Sequence, residues 1–145
     1  SMHRTLIDSD VVLDLFIDRE PHHSLALHFF SYIERNTETI GAFTSPIAIA
    51  NVAYILTKLK SQRYAVDKLR ELLRFVNIAP VDQTIIDTAV ARPHKDFEDA
   101  IQYFCAQENG LHSIVTRNGD DYLQEDAMIL TPSDFLAMDY AGGST

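Results

Sequence analysis

Five short runs with strand character recur along this chain, and segments of helical spacing separate most of them. The runs are RTLID (4–8), GAFTS (41–45), NIAPV (77–81), LHSIVTRN (111–118) and AMILTP (127–132). Strands joined through helices do not pair as hairpins; they pair in parallel through crossover connections. The alternation therefore predicts an α/β domain with a largely parallel sheet. VVLDLF opens the first helix, which Asp18-Arg19-Glu20-Pro21 ends because proline cannot continue it. A second helix over 22–35 carries Leu25, Phe29, Tyr32 and Ile33 at helical spacing. Ser45-Pro46 opens a third, to about residue 60, with proline in its first turn. Helices follow over 62–75, with Val66, Leu69, Leu72 and Leu73 inward, over 82–91 and 97–108, and from Pro132 onward. The chain has 145 residues and no internal linker or repeat, so one domain over 3–140 is expected, followed by a loose tail over 141–145.

Net charge is −9, with 21 acidic residues against 12 Lys and Arg, which argues against holding nucleic acid by overall charge. The distribution is uneven. Six of the 12 bases, Lys58, Lys60, Arg63, Lys68, Arg70 and Arg74, lie in one segment whose acids are Asp67 and Glu71. That segment is either a solvated helix face or a basic wall beside an acidic site. No apolar stretch approaches the roughly 20 residues of a membrane span, so no membrane association is expected. Asp8 and Asp10 interrupt the only early apolar run, so no signal peptide is read. The single cysteine, Cys105, excludes an internal disulfide framework and a multi-cysteine zinc site, and it reads as a small buried hydrophobe. A reducing, cytoplasmic compartment is the simplest expectation.

In parallel α/β sheets, sites form beyond the carboxyl ends of the strands. Asp8 ends the first strand; Asn118, Asp120 and Asp121 follow the fourth; Asp96 and Asp99 open the helix before it. These acids can gather at one sheet edge. An oxygen-rich set without cysteine suits Mg²⁺ or Mn²⁺. Asp96 also reads as a helix N-cap, whereas Asp99 lies on the rim of the apolar face formed by Phe97, Ala100, Ile101 and Phe104. Arg117, directly after the strand, is expected either to contact a phosphate or to pair with Asp120. Asp10 is expected to cap the first helix or stand around the site, and Asp14 to lie on the helix surface.

Four separate segments, LIDSDVVLDLFIDREPH, FTSPIAIANVAYIL, KDFEDAIQYFCAQENGLHSIVTRNGDDYL and ILTPSDFL, together resemble a PIN domain, most closely the bacterial single-domain PIN proteins of the VapC toxin type. The resemblance implies a three-layer α/β/α fold with a central, mainly parallel sheet of about five short strands. It also implies a Mg²⁺- or Mn²⁺-dependent ribonuclease site, an RNA substrate, a cognate antitoxin and a homodimer. By position it assigns Asp8, Asp99 and Asp121 to catalysis and metal binding. Ser9, Asp10 (where the family usually has Asn), Asp96, Thr116 and Asn118 stand around them, with Arg117 on the RNA.

One departure matters. The helix after TSPIAIA supplies a glutamate in the family, and this chain has Asn51 there. An amide can orient a water or donate to a carboxylate, but it brings no negative charge. The sequence therefore leaves open a catalytically weakened, PIN-like binding module. A haloacid-dehalogenase-like phosphatase, suggested by Asp8-x-Asp10 and the later GDD, is a weaker alternative, because Val11-Val12 replaces the Gly-Thr such enzymes carry.

Overall fold

The computed structural model describes residues 2–92, 96–122 and 128–138. The elements are β1 (His3–Ile7), α1 (Ser9–Phe16), α2 (His22–Arg35), β2 (Ile40–Thr44), α3 (Pro46–Leu59) and α4 (Gln62–Leu72). They continue with β3 (Val76–Ile78), α5 (Gln83–Ala91), α6 (Phe97–Glu108), β4 (Ser113–Val115), a 3-10 turn over Gly119–Asp121, β5 (Met128–Leu130) and α7 (Pro132–Ala137). The helices begin where the sequence offers side-chain acceptors. Ser45, Ser61, Asp82, Asp96 and Thr131 each accept a backbone N–H from the first turn of the helix that follows.

The five strands form one sheet in the order β3-β2-β1-β4-β5, and every pairing is parallel. The order reverses between β1 and β4, which opens a crevice at their carboxyl ends. Leu6 pairs with Ile114 and Ile7 with Val115, so the two strands end level. The next residues, Asp8 and Thr116, are therefore carried to the same edge. The register continues one step past the strands: the Asp8 N–H donates to the Val115 carbonyl at 2.9 Å, and the Thr116 N–H to the Leu130 carbonyl at 2.9 Å.

Both faces of the sheet are covered. Successive strand side chains point to opposite faces, so Ile7 and Val115 join one core and Leu6 and Ile114 the other. The first core takes residues of α1, α2, α3, α4 and α7, including Val12, Phe29, Ile33, Leu56 and Phe135. The second takes α5 and α6, including Ile85, Ala100, Tyr103 and Phe104. Each such aliphatic or aromatic side chain, fully buried, stabilises the fold by roughly 1.5–3 kcal/mol.

The inward face expected for α4 needs correction. Val66 and Leu73 are 43% and 45% exposed, whereas Ala65 and Leu72 are buried. The stripe that turns inward is Ala65, Leu69 and Leu72, at i, i+4 and i+7, and the small Ala65 side chain lets the helix approach closely. In α2, Leu25 is likewise 39% exposed, and Ala26 and Phe30 fill the core beside Phe29.

Candidate active site

The crevice between β1 and β4 is floored by Asp8. Its side chain is 7% exposed and meets four donors. Oδ1 accepts from the Ser9 N–H at 2.7 Å and from Gln102 Nε2 at 3.4 Å. Oδ2 accepts from Thr116 Oγ1 at 3.0 Å and from the Tyr122 hydroxyl at 2.9 Å. Asp8 is also the N-cap of α1, so the capping role expected of Asp10 belongs to Asp8.

Asp10 instead reaches across to the end of β4. Its Oδ2 accepts from the Arg117 N–H at 3.0 Å, from Asn118 Nδ2 at 3.0 Å and from Thr116 Oγ1 at 3.3 Å. A threonine hydroxyl has one hydrogen, so Thr116 bridges Asp8 and Asp10, while its oxygen accepts from the Asn118 N–H at 3.1 Å. Asp10 Oδ1 is buried with no hydrogen-bond partner. Burial and then the charge of Asp8 push the Asp10 carboxyl up to about 6, against the pull of the Arg117 amide, the Arg117 charge and the Val11 amide.

α6 supplies the opposite wall. Asp96 caps it, accepting the Asp99 N–H at 3.2 Å. Asp99, half-buried in the first turn, acts on Tyr122: burial, then Asp8, then Asp99, then the hydrogen bond to Asp8 and the charge of Asp10 hold the phenol far above its usual range. Three carboxylates thus converge electrostatically on one hydroxyl. Glu98, which the sequence reading passed over, is raised by burial, by Asp96 and by Asp8, so it too lies in the field of the crevice. The backbone of Asp121 lies in the 3-10 turn just before Tyr122, and its side chain lies outside the described part of the structure.

α3 closes the third side. Asn51 Nδ2 donates to Ser9 Oγ at 3.1 Å, so the amide that replaces the expected glutamate braces α1 rather than adding charge. Gln102, 1% exposed, connects this helix to the floor: its Oε1 accepts from Ser45 Oγ, whose oxygen caps α3, while its Nε2 reaches Asp8.

Two expectations fail here. Asp14 is buried at 3% exposure, not on the surface of α1. It takes the Arg117 guanidinium, Nε at 2.6 Å from Oδ2 and Nη2 at 3.3 Å from Oδ1, with Arg19 at 3.8 Å. The acid partner of Arg117 is therefore Asp14 rather than Asp120. A carboxylate taken out of water needs such a partner, which explains why a buried helix face accepts it. Cys105 behaves as expected: burial pushes its thiol up to about 11, so it is no nucleophile at neutral pH.

The donor set fits a hard divalent cation. It offers only oxygen and amide groups, and its two neighbouring carboxylates feel only the Arg117 guanidinium that Asp14 already engages, with one oxygen of Asp10 orphaned. Among the described residues no three Asp, Glu, His or Cys side chains form a chelating group by themselves. In this arrangement the Asp8 oxygens are turned to protein donors.

The PIN domain family model matches residues 4–120 of this chain. A relative named Ribonuclease VapC1, from Aquifex aeolicus (strain VF5), is 24% identical over 137 residues, which cover 91% of this chain and 92% of the relative. Among solved structures, a toxin–antitoxin complex from Klebsiella pneumoniae is 24% identical with a TM-score of 0.65, covering 88% of this chain and 97% of that one. VapC20 of Mycobacterium tuberculosis, described as a sarcin–ricin loop cleaving toxin, is 16% identical with a TM-score of 0.65, covering 80% and 91%. These structures share the parallel sheet and its two helical layers. With a family model spanning most of its length and its acids at the β1–β4 switch point, the chain belongs to the PIN domain family.

Proposed function

We propose that the protein is a Mg²⁺- or Mn²⁺-dependent endoribonuclease and the toxin half of a toxin–antitoxin pair. The observation that carries this reading is the pair Asp8 and Asp10 at the switch point of the sheet, joined at the Thr116 hydroxyl and with one Asp10 oxygen buried and unpartnered. The relative named a ribonuclease and the toxin–antitoxin structure support it. Asp8, Asp99 and Asp121 would hold the cation, with Asp10 beside them. When bound, such an ion acts as a Lewis acid on the scissile phosphodiester and lowers the pKa of an attacking water.

The residues around that centre have their own tasks. Thr116 fixes Asp8 and Asp10 relative to each other through one shared hydroxyl. Ser9 and Asn51 hold the start of α1 against α3. Asn118 clamps Asp10, and Asp96 sets the first turn of α6 so that Asp99 faces the crevice. Arg117, braced by Asp14 and still 28% exposed, offers a fixed guanidinium to an RNA phosphate. The bases between Lys58 and Arg74 steer the RNA backbone toward the acidic crevice. An antitoxin peptide and a second copy of the chain are the protein partners this reading entails.

Asp8→Asn and Asp99→Asn are each expected to abolish Mn²⁺-dependent cleavage of single-stranded RNA while the circular dichroism spectrum stays that of the parent. Cleavage at the parental rate by either variant overturns the site assignment. Asn51 favours a second reading, a PIN domain that binds without cutting. Asn51→Glu separates the two. A gain in Mn²⁺ affinity and in cleavage marks a weakened nuclease; no Mn²⁺ binding by parent or variant marks a binding module.

A further inference from the structure

One face of α3 leads directly out of the acidic crevice. Asn51, Tyr54 and Lys58 stand at i, i+3 and i+7, one stripe about 10 Å long. Its inner end is fixed, because Asn51 donates to Ser9 Oγ at 3.1 Å. Further out, Tyr54 is 61% exposed, the most exposed Phe or Tyr among the described residues. Lys58 Nζ lies 5.2 Å from its ring centroid. Beyond it, Tyr64 is flanked by Lys60 and Lys68 at 5.9 and 5.4 Å, with its hydroxyl held on the Phe16 carbonyl at 3.4 Å.

The positive charge of this segment is spent internally only in part. Arg70 and Lys68 pair with Asp67 and Glu71 at 3.1 and 3.4 Å. Among the described residues, Lys58, Lys60 and Arg63 have no carboxylate partner. A chain of net charge −9 thus keeps Lys58 beside an exposed aromatic ring on the α3 face that ends at its carboxylates, with Lys60 at the end of α3 and Arg63 at the start of α4 following it. Cations that track a phosphate backbone, joined to a ring that stacks on any base, are the pattern of single-strand recognition.

We propose that Tyr54 and Lys58 form the subsite for a nucleotide of single-stranded RNA flanking the scissile phosphate. A base stacks on the face of Tyr54 that Lys58 leaves uncovered, and Lys58, Lys60 and Arg63 take the phosphates leading away from the crevice. This rests on the ribonuclease reading above and adds where the strand runs.

The test is fluorescence anisotropy with a labelled single-stranded RNA of about 16 nucleotides, long enough for one binding groove, in EDTA so that nothing is cut. Tyr54→Ala is expected to weaken binding on the order of tenfold, and Tyr54→Phe to bind as the parent does. Lys58→Ala is expected to reduce the slope of log affinity against log salt by about 0.7, the share of one phosphate contact on a single strand. Leu59→Ala, at the exposed neighbouring position, is the control and leaves affinity unchanged. Parental affinity in Tyr54→Ala overturns the subsite, and so does a Tyr54→Ala effect confined to the sedimentation coefficient, which marks the face as a protein contact. Loss of binding in Tyr54→Ala while Asp8→Asn still cuts would sink the catalytic assignment and leave the subsite standing. Loss of cutting in Asp8→Asn with parental binding in Tyr54→Ala would do the reverse.

Discussion

Asp8 and Asp10 are two residues apart in the chain and share one threonine hydroxyl, yet their environments are unequal. Asp8 meets four donors, whereas Asp10 keeps one oxygen buried and unpartnered. Burial and the neighbouring charge raise the Asp10 carboxyl from an ordinary 3.8 to about 6. An acid whose folded pKa lies above its unfolded value costs the fold nothing below the lower of the two. Its cost grows as pH rises between them and is fully present above the upper. For Asp10 the window runs from 3.8 to about 6, and the cost at neutral pH is on the order of 3 kcal/mol. Asp10→Asn keeps an oxygen for the Arg117, Asn118 and Thr116 donors and removes the charge. The variant is expected to be more stable than the parent by roughly 1–3 kcal/mol at pH 7 in EDTA, with the gain gone by about pH 4. Urea denaturation midpoints across that pH range measure it. A difference that does not change with pH contradicts the assigned cause.

At the scale of elements, α3 and α6 meet the floor of the site through one chain of hydrogen bonds, Ala48 N–H to Ser45, Ser45 to Gln102, and Gln102 to Asp8. Ser45 is fully buried. Ser45→Ala removes a helix cap, worth about 1 kcal/mol, and leaves the Gln102 carbonyl buried without its donor, worth about 1–3 kcal/mol. A loss of roughly 2–4 kcal/mol in unfolding free energy is expected, and Mn²⁺ affinity falls with it, because Gln102 no longer fixes Asp8. Isothermal calorimetry and urea denaturation read the two effects; a loss below about 0.5 kcal/mol, the scale of an ordinary surface change, refutes the chain. These elements were largely legible in the sequence. All five strands and seven helices fall within a few residues of the runs that predicted them, because caps, Pro46 and strand composition act locally. Asp8 and Asn118 were legible by position, at and just past strand ends, and Thr116 only through the resemblance to the family. Gln102, Tyr122 and the Asp14–Arg117 pair were not, because their partners lie 94 to 114 residues away and no periodicity encodes such a contact. Gln102 left one trace, a lone amide in the apolar stretch AIQYFCA. Asp14 left none, since a polar residue in an amphipathic helix reads as exposed.

Across the whole molecule, the two cores lie on opposite faces of the sheet, and the acidic crevice is where both reach the same edge. Tyr122 and Leu6 belong to one core, Ile7 and Val115 to the other, and Asp8 is adjacent to both. A cation held there would therefore link α1 to α6, and through them the two helical layers. Any ligand that binds only the folded chain stabilises it by mass action, about 2.7 kcal/mol at a hundredfold excess over the dissociation constant. For a chain of 145 residues that raises the melting temperature by roughly 5–10 °C. The chain carries 21 acidic residues, so a diffuse salt effect has to be separated from a bound ion. The separation comes from comparing Mn²⁺ with NaCl at equal ionic strength, in the parent and in Asp8→Asn, by differential scanning calorimetry. The parent is expected to gain several degrees from Mn²⁺ beyond NaCl, and Asp8→Asn to gain no more from one than from the other. An equal gain in the two proteins would place the stabilising ion away from the crevice between β1 and β4.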